Sequence, residues 1–273
     1  MLRYQKTRSL MPETYENLRR TDEGLVATLS LARPESRNAL DAALIAEITR
    51  CFGELAEDDD VRVVVLTGEG PIFCAGADIG YMRDTAGFSY EGNLEDARRL
   101  AEMFRSVDEL PKPVVAKVRG AAMGGGAGLV AAADVAVSEE GARFAFSEVR
   151  LGIAPATIAP FVVRKIGLSQ ARALFLTGER FDAEEAREIG LVHEAVLERD
   201  LDAAVDHVVS QLLQGGPEAQ AAIKALLHQV EATEPLEALG LMTSLTAELR
   251  TSEEGQEGLR AFLEKREPRW RNS

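Results

Sequence analysis

The chain has 273 residues, of which 46% are apolar and 28% charged, and its formal net charge is −14. This length and apolar content predict one large domain, or a large and a small one, with a sizeable core. The negative charge argues against general binding to nucleic acid or to an anionic membrane. No apolar run reaches 18 residues, so no membrane-spanning helix is predicted.

The two cysteines, Cys51 and Cys74, have neither the spacing of a disulfide framework nor that of a metal site. Both are expected to be small packing residues in a reduced, cytoplasmic protein, and no metal site is predicted. The first twenty residues are charged and contain no apolar segment, so they do not predict a secretory signal.

The N-terminal part begins with a strand and a helix. Residues 24–31 alternate in polarity, which predicts a strand. Asp41 is placed to cap a helix that begins at Ala42. One apolar face of this helix recurs at helical spacing: Leu44, Ile45, Ile48, Phe52 and Leu55.

The next segments alternate in type. Residues 61–67 form a nearly continuous apolar run, typical of a strand covered on both faces. The polar and irregular segment 81–95 predicts a mobile loop, and a helix is expected at 94–107. Two prolines then precede a predicted strand at 114–118.

The segment from Gly120 to Asp134, GAAMGGGAGLVAAAD, is the most unusual in the chain. Glycine costs about 1 kcal/mol relative to alanine inside a helix, so the glycines at 124–126 and 128 need a reason. One reason is tight packing between two elements. The other is catalytic, because unobstructed N–H groups in the first turn of a helix can face an oxyanion. The glycines alone do not separate these interpretations.

Residues 126–131 also fit the GxGxxA pattern of dinucleotide sites. That pattern should follow a strand directly, but residues 119–123 intervene here. The acidic residue about twenty positions on, Glu148, lies too far past the next short strand. A dinucleotide site is therefore not favoured.

The remaining chain passes from strands and helices to helices alone. The strands and helices are expected at 135–137, 143–146, 161–166, 171–176, 181–189 and 190–196. Four helical segments follow them: 200–213, 217–230, 236–250 and 253–266. This order predicts an α/β body over residues 1–197 and a helical region over residues 198–273.

Short motifs follow one another along the chain: RNAL at 37–40, VVVLTG at 63–68, FCAGADI at 73–79, GGG at 124–126, FDAEEA at 181–186 with GLV at 190–192, and Gly258 with FLEKR at 262–266. The ordered set covers residues 24–267 and resembles the crotonase, or enoyl-CoA hydratase/isomerase, superfamily. The resemblance implies a spiral of ββα turns with a C-terminal helical region that assembles subunits into trimers, often paired into hexamers.

The resemblance also implies an acyl-CoA substrate and no separate cofactor, because coenzyme A is part of the substrate. Two backbone N–H groups, at Ala75 and Gly125, would hold the thioester oxygen. Further residues would bind the substrate and its CoA arm: Arg37, Ala39, Ala77, Asp78, Ile79 and Gly124. Phe262 and Lys265, which a neighbouring subunit could supply, would face the adenine and phosphate end.

Hydratases of this superfamily carry two glutamates, at positions that match residues 128 and 148 here. Position 148 is Glu148, but position 128 is Gly128, so the acid–base pair is incomplete. By residue count the nearest precedent is a Δ3,Δ2-enoyl-CoA isomerase. The segment FSEVRLGIAPATI at 146–158 instead resembles bacterial methylglutaconyl-CoA hydratases, which implies reversible hydration of 3-methylglutaconyl-CoA in leucine metabolism. A CoA-binding protein without activity is the third alternative.

Glu148 is expected to move a proton at Cα and to guide water at Cβ, with a pKa raised by burial. Its structural alternative is a salt bridge to Arg150 or to another arginine. The volume left at Gly128 is expected to admit a substrate carboxylate or a branched carbon, or to let the substrate itself orient water.

Overall fold

The computed structural model describes residues 15–232 and 235–271 of the chain. The prediction about a secretory signal falls mostly on residues 1–14, which lie outside the described residues. Within the described ranges, no helix has both the length and the apolar character needed to cross a membrane.

Two sheets form the β part of the described chain. Their strands are β1 (Leu18–Glu23), β2 (Val26–Leu31), β3 (Val63–Gly68), β4 (Val114–Val118), β5 (Ala121–Met123), β6 (Val135–Glu139), β7 (Arg143–Ala145), β8 (Arg180–Asp182) and β9 (Glu194–Val196). The larger sheet has the order β1-β2-β3-β4-β6-β9 and is parallel apart from the antiparallel β1–β2 pair. The smaller sheet has the order β5-β7-β8, with β5 parallel and β8 antiparallel to β7.

Helices cover the sheets and make up the C-terminal region. Those in the described residues are α1 (Ala42–Ala56), α2 (Ile79–Thr85), α3 (Tyr90–Asp108), α4 (Gly125–Ala132), α5 (Ala159–Thr177), α6 (Ala183–Glu188), α7 (Leu201–Leu212), α8 (Pro217–Ala232), α9 (Pro235–Thr251) and α10 (Glu253–Glu264). Strands alternate with helices up to β9, and α-helices follow, as the sequence predicts.

Helix α1 forms as its sequence predicts. The Asp41 side chain accepts a hydrogen bond of 2.8 Å from the Leu44 N–H, which satisfies one unpaired donor of the first turn. All five residues of the predicted apolar face are buried.

The prediction of a mobile loop at residues 81–95 is wrong, because two helices occupy most of this segment. The Asp78 side chain accepts from the N–H groups of Gly80 and Tyr81 and starts α2. Ser89 caps α3 in the same way by accepting from the Gly92 N–H. The first turns of α3 are largely exposed, so they show no apolar periodicity.

The central strands β3, β4 and β6 of the larger sheet are mostly buried on both faces, which explains the continuous apolar run of β3. Successive residues of a strand point to opposite faces. Accordingly Val64 and Leu66 lie in the main core, which also contains the buried faces of α1, α3, α4 and α5. Val63 and Val65 lie in a second cluster with α7. The division of the chain at residue 197 stays a prediction, and α7 on its C-terminal side packs on the sheet.

A buried arginine ties the C-terminal segment to the start of β3. Arg62 is 8% exposed, and its guanidinium donates to the carbonyl oxygens of Leu213, Gly215 and Trp270. The Trp270 indole N–H in turn donates to the Gln214 carbonyl at 3.1 Å. One side chain thus joins the sheet, the α7–α8 connection and the end of the described chain.

Candidate active site

Helix α4 begins at a backbone turn that requires glycine. Gly124 has φ 49° and ψ −118°, a conformation that strongly favours glycine, and its N–H donates to the Ala145 carbonyl at 2.8 Å. The next three N–H groups, from Gly125 to Ala127, have no hydrogen-bond partner in the described parts of the chain. The start of α4 therefore presents free donors and the positive end of a helix dipole.

The loop 73–79 does not use its N–H groups as predicted. Ala75 donates to the Arg37 carbonyl at 3.0 Å, so its N–H is already engaged within the fold. The structure therefore does not support Ala75 as an oxyanion donor. Two residues on, the exposed Ala77 has an N–H that bonds to no described residue. Its neighbours are fixed, because Gly76 accepts from the Leu40 N–H and Asp78 donates to the Leu40 carbonyl.

This loop lies directly against the peptide that precedes α4. Cys74 and Ala122 form a parallel bridge, with Cys74 donating to Ala121 and accepting from Met123, each at 3.0 Å. A Cβ added at Gly76 would lie 2.9 Å from the Met123 carbonyl oxygen. Close backbone contact therefore places the free donor of the loop beside the start of α4.

Glu148 begins a short 3-10 turn, Glu148–Leu151, shortly after β7. Its Oε1 lies 3.1 Å from the position that a Cβ on Gly124 would occupy. Its Oε2 is buried and has no hydrogen-bond partner among the described residues. Burial raises the pKa of this carboxyl, and only its own backbone N–H opposes the rise. The carboxyl thus faces the turn at Gly124 rather than bulk solvent.

The side chain of Arg150, the alternative partner of Glu148, runs over Gly178 instead. A Cβ added at Gly178 would lie 3.2 Å from the Arg150 Cγ and 2.9 Å from the Val149 Cγ1. The absence of a side chain at Gly178 therefore lets Val149 and Arg150, in the turn that carries Glu148, pack against its backbone.

The expected free volume at Gly128 is not present. A Cβ added there would lie 2.3 Å from the Ile158 Cγ2 and 3.0 Å from the Phe104 Cε1. Both side chains are buried, at 2% and 0% exposure. Because Ile158 precedes α5 and Phe104 belongs to α3, two elements close over this glycine. The place of the second glutamate is therefore filled by apolar carbon.

Packing also requires the two glycines before position 128. A Cβ at Gly126 would lie 2.6 Å from the Cys74 carbonyl oxygen, and one at Gly125 would lie 2.8 Å from the Leu40 Cδ1. The packing interpretation of the glycine segment is therefore confirmed, and the catalytic interpretation stays a prediction. Of the three residues whose N–H groups lack partners in the described chain, Gly125 is partly exposed, whereas Gly126 and Ala127 are buried.

Asn38 was missed as a site residue, although it holds the RNAL segment in place. It is fully buried at φ 55°. Its side chain accepts from the Arg33 N–H at 2.9 Å and donates to the carbonyls of Glu69 and Ile72 at 2.9 and 2.7 Å. The available sequence signal was an asparagine in a turn, since asparagine tolerates positive φ better than most residues.

Asp78 has a structural role beside the site. Its carboxylate caps α2 and pairs with Arg33 at 3.2 Å. The Tyr81 and Gly80 N–H groups and the Arg33 guanidinium lower its pKa. Arg33 also donates to the Ala39 carbonyl at 2.5 Å. This network fixes the two loops that flank the free Ala77 N–H.

The other predicted binding residues differ in exposure. Ala39 is buried at 6% exposure, so its side chain does not line an open surface. Arg37 is exposed, and Ile79 is 76% exposed. Phe262 is 82% exposed near the end of α10, and Lys265 is exposed beside it. Within one chain α10 packs on α8 and α9, and the binding role of these two residues stays a prediction.

Comparison with known proteins places this geometry in a family. The model of the enoyl-CoA hydratase/isomerase family matches residues 21–273. The chain belongs to the enoyl-CoA hydratase/isomerase family. The crystal structure of an enoyl-CoA hydratase from Shewanella pealeana superposes with a TM-score of 0.90 at 39% identity, covering 94% of this chain and 96% of that one. The predicted crotonase fold is therefore confirmed.

Relatives within the family carry two kinds of name. A short-chain-enoyl-CoA hydratase of Clostridium acetobutylicum is 31% identical, over 89% of this chain and 93% of that protein. A trans-2-decenoyl-[acyl-carrier-protein] isomerase of Streptococcus mutans is also 31% identical, over 93% of this chain and 97% of that protein. Membership of the family thus indicates that the protein is an enzyme that acts on enoyl thioesters.

We expect Gly128→Ala to lower the free energy of unfolding by about 1–3 kcal/mol, because the new methyl group overlaps the stiff, β-branched Ile158. In an Ile158→Ala background, Gly128→Ala should change the free energy of unfolding only slightly. A double-mutant cycle, with unfolding by denaturant, measures this coupling between residues 128 and 158. The matched control is Gly53→Ala in α1, where no heavy atom lies within 4 Å of the added Cβ. A Gly128→Ala cost that is independent of residue 158 would contradict the packing described here.

Proposed function

We propose that the protein catalyses the reversible hydration of a 2-enoyl-CoA thioester, with Glu148 as its single acid–base carboxylate. The observation that carries this proposal is the buried Glu148 oxygen without a partner, next to the turn that begins α4. An unpaired buried carboxyl is costly to maintain, and such groups concentrate at functional sites.

The thioester oxygen is proposed to bind the N–H groups of Gly125 and Ala77. Both are free of partners among the described residues, and close contact between their segments favours convergence on one atom. Stabilising the enolate in this way lowers the barrier, since loss of one such donor typically costs about 10²–10³ in rate. This replaces Ala75 by Ala77 as the second donor.

One carboxyl suffices for the proton transfers of hydration. Ionised Glu148 accepts a proton from water as the water oxygen bonds to Cβ and the π electrons move onto the thioester oxygen. The enolate then collapses and takes the proton from Glu148 at Cα, which restores the carboxylate. The raised pKa suits this role, because the carboxyl must hold the proton between the two steps. No cofactor beyond the coenzyme A of the substrate is needed.

The proposed substrate is 3-methylglutaconyl-CoA, with 3-hydroxy-3-methylglutaryl-CoA as its hydrated partner, which places the enzyme in leucine metabolism in the cytoplasm. The sequence of residues 146–158 supports this choice. Because Ile158 and Phe104 fill position 128, the free carboxylate of this substrate must lie elsewhere in the site.

A second candidate is Δ3,Δ2-enoyl-CoA isomerisation. The apolar filling at Gly128 favours it, because moving a proton from one carbon to another needs one carboxylate and no bound water. An inactive CoA-binding protein is the third alternative, and it predicts binding without turnover.

Turnover of three thioesters by one preparation separates these functions. We expect 3-methylglutaconyl-CoA to lose its conjugated enoyl absorbance fastest, with crotonyl-CoA slower. A 3-enoyl-CoA that gains conjugated absorbance faster than either is hydrated would instead establish the isomerase. Binding of all three without any change in absorbance would establish the inactive alternative.

Glu148→Gln should lower kcat/KM by about 10²–10⁴, because the amide neither accepts nor returns the proton. In the native enzyme, kcat/KM should fall as the pH decreases through a pKa above the ordinary 4.5, since only the carboxylate accepts a proton from water. The exposed Glu140→Gln is the control. Near-native activity of Glu148→Gln would reject the assignment.

The same variant separates catalysis from folding. Because its pKa is raised in the folded state, the ionised carboxyl destabilises the fold above the pH at which it ionises in the unfolded chain. At neutral pH, Glu148→Gln should therefore melt at or above the temperature of the native protein.

We further propose that the protein assembles as a homotrimer or as a pair of trimers, in which a neighbour supplies Phe262 and Lys265. The support is an exposed apolar stripe on α10, formed by Leu259, Phe262 and Leu263 at 51%, 82% and 78% exposure. Light scattering should give three or six times the chain mass of 29.6 kDa. A monomeric mass in the active preparation would contradict this proposal.

A further inference from the structure

Helix α4 is intrinsically weak, although it carries the Gly125 N–H. Three of its eight residues are glycine: Gly125, Gly126 and Gly128. Each has a low helix propensity, and eight residues are too few for an isolated helix to be stable in water. The helix therefore depends on contacts supplied by the rest of the fold.

The C-terminal end of α4 is held by a lysine from α5. The Lys165 Nζ donates to the carbonyl oxygens of Ala133, at 2.5 Å, and Asp134, at 3.1 Å. Ala133 is the C-cap of α4, and its own N–H bonds to Leu129 inside the helix. Lys165 thus places an ammonium group at the negative end of the helix dipole, where a cation is stabilising.

We propose that Lys165 is a positioning residue for the oxyanion site, acting through α4 on the Gly125 N–H at the opposite end of the helix. Eight residues span about 12 Å, and a packed helix moves as one body over that length. Residues 126–132 are all buried, so a shift at the C-terminal end has no flexible segment to absorb it. This inference rests on the proposed function only in that Gly125 binds the thioester oxygen.

The charge on Lys165 is set by its surroundings. Burial lowers the pKa of Lys165 to about 8, with Lys224 of α8 reinforcing and Asp134 and Asp108 opposing the effect. Other titratable and charged groups also face this region: His193 before β9, His228 of α8 beside Asp108, and Arg164 of α5 paired with Asp108. The ammonium form is present below a pH of about 8 and is lost above it.

The chain offers a matched control in Lys112. Its Nζ donates to the carbonyls of Leu55 and Asp58 at the C-terminal end of α1, and burial lowers its pKa as well. Lys112 therefore makes the same kind of contact on a helix that carries no oxyanion donor. The difference between Lys165 and Lys112 isolates the effect on the site from a general loss of helix capping.

The experiment compares Lys165→Met, Lys165→Arg and Lys112→Met in the full chain. We expect Lys165→Met to lower kcat about tenfold with little change in KM. This loss is smaller than the factor of about 10²–10³ in rate that removal of an oxyanion donor typically costs, because the donor is displaced and not removed. Lys165→Arg should restore most of kcat, because a guanidinium also donates to carbonyl oxygens. It should also remove the decline of native kcat above a pH of about 8, since arginine stays charged. Lys112→Met should lose stability without loss of kcat.

Hydrogen exchange of the peptide containing residues 124–132 gives a readout independent of substrate. It should accelerate in Lys165→Met and stay native in Lys112→Met. If exchange accelerates but kcat does not change, the start of α4 does not contribute to turnover, which contradicts the proposed oxyanion role of Gly125. If exchange in this peptide stays native, or if both lysine variants lose kcat equally, the positioning role of Lys165 is overturned. If Lys165→Met does not fold, Lys165→Arg still tests the proposal. A decline of kcat above a pH of about 8 that persists in Lys165→Arg would also overturn the positioning role of Lys165.

Discussion

The site depends on the close approach of two backbone segments that side chains would keep apart. Gly76 lies against the Met123 carbonyl, and Gly126 lies against Cys74, so the loop 73–79 and the start of α4 touch without intervening side chains. Hydrogen bonds between Cys74 and the strand β5 hold this contact in register. The absence of side chains at these glycines is what permits the two segments to approach each other so closely.

The carboxyl and its surroundings follow from the same contact. Gly124 leaves room for Glu148 to lie over the turn, and one carboxyl oxygen is buried there without a hydrogen-bond partner among the described residues. At Gly128, where the resemblance leads to the expectation of a second glutamate, Ile158 and Phe104 form apolar packing instead. Helix α4 therefore has the Glu148 carboxyl beside its start and apolar packing over Gly128.

Local signals in the sequence predicted the fold well, because periodicity and capping act over a few residues. The face of α1 and the cap at Asp41 follow directly from side-chain spacing. Helix α2 and the first turns of α3 were missed because Asp78 and Ser89 start them through single hydrogen bonds, without an apolar stripe. The site was harder to predict. Whether Ala75 or Ala77 has a free N–H depends on the carbonyl of Arg37, and the filling of position 128 depends on Ile158, thirty residues away.

The anchoring of the C-terminal segment by Arg62 bears on how the protein is made. The arginine and the carbonyl of Trp270 that it binds are 208 residues apart in sequence. During synthesis the strand that follows Arg62 leaves the ribosome long before its last partner exists. Until that partner is made, the Arg62 guanidinium lacks one of its three backbone acceptors. A chain that lacks the segment of Trp270 would leave the Arg62 guanidinium with one backbone acceptor fewer beside the sheet.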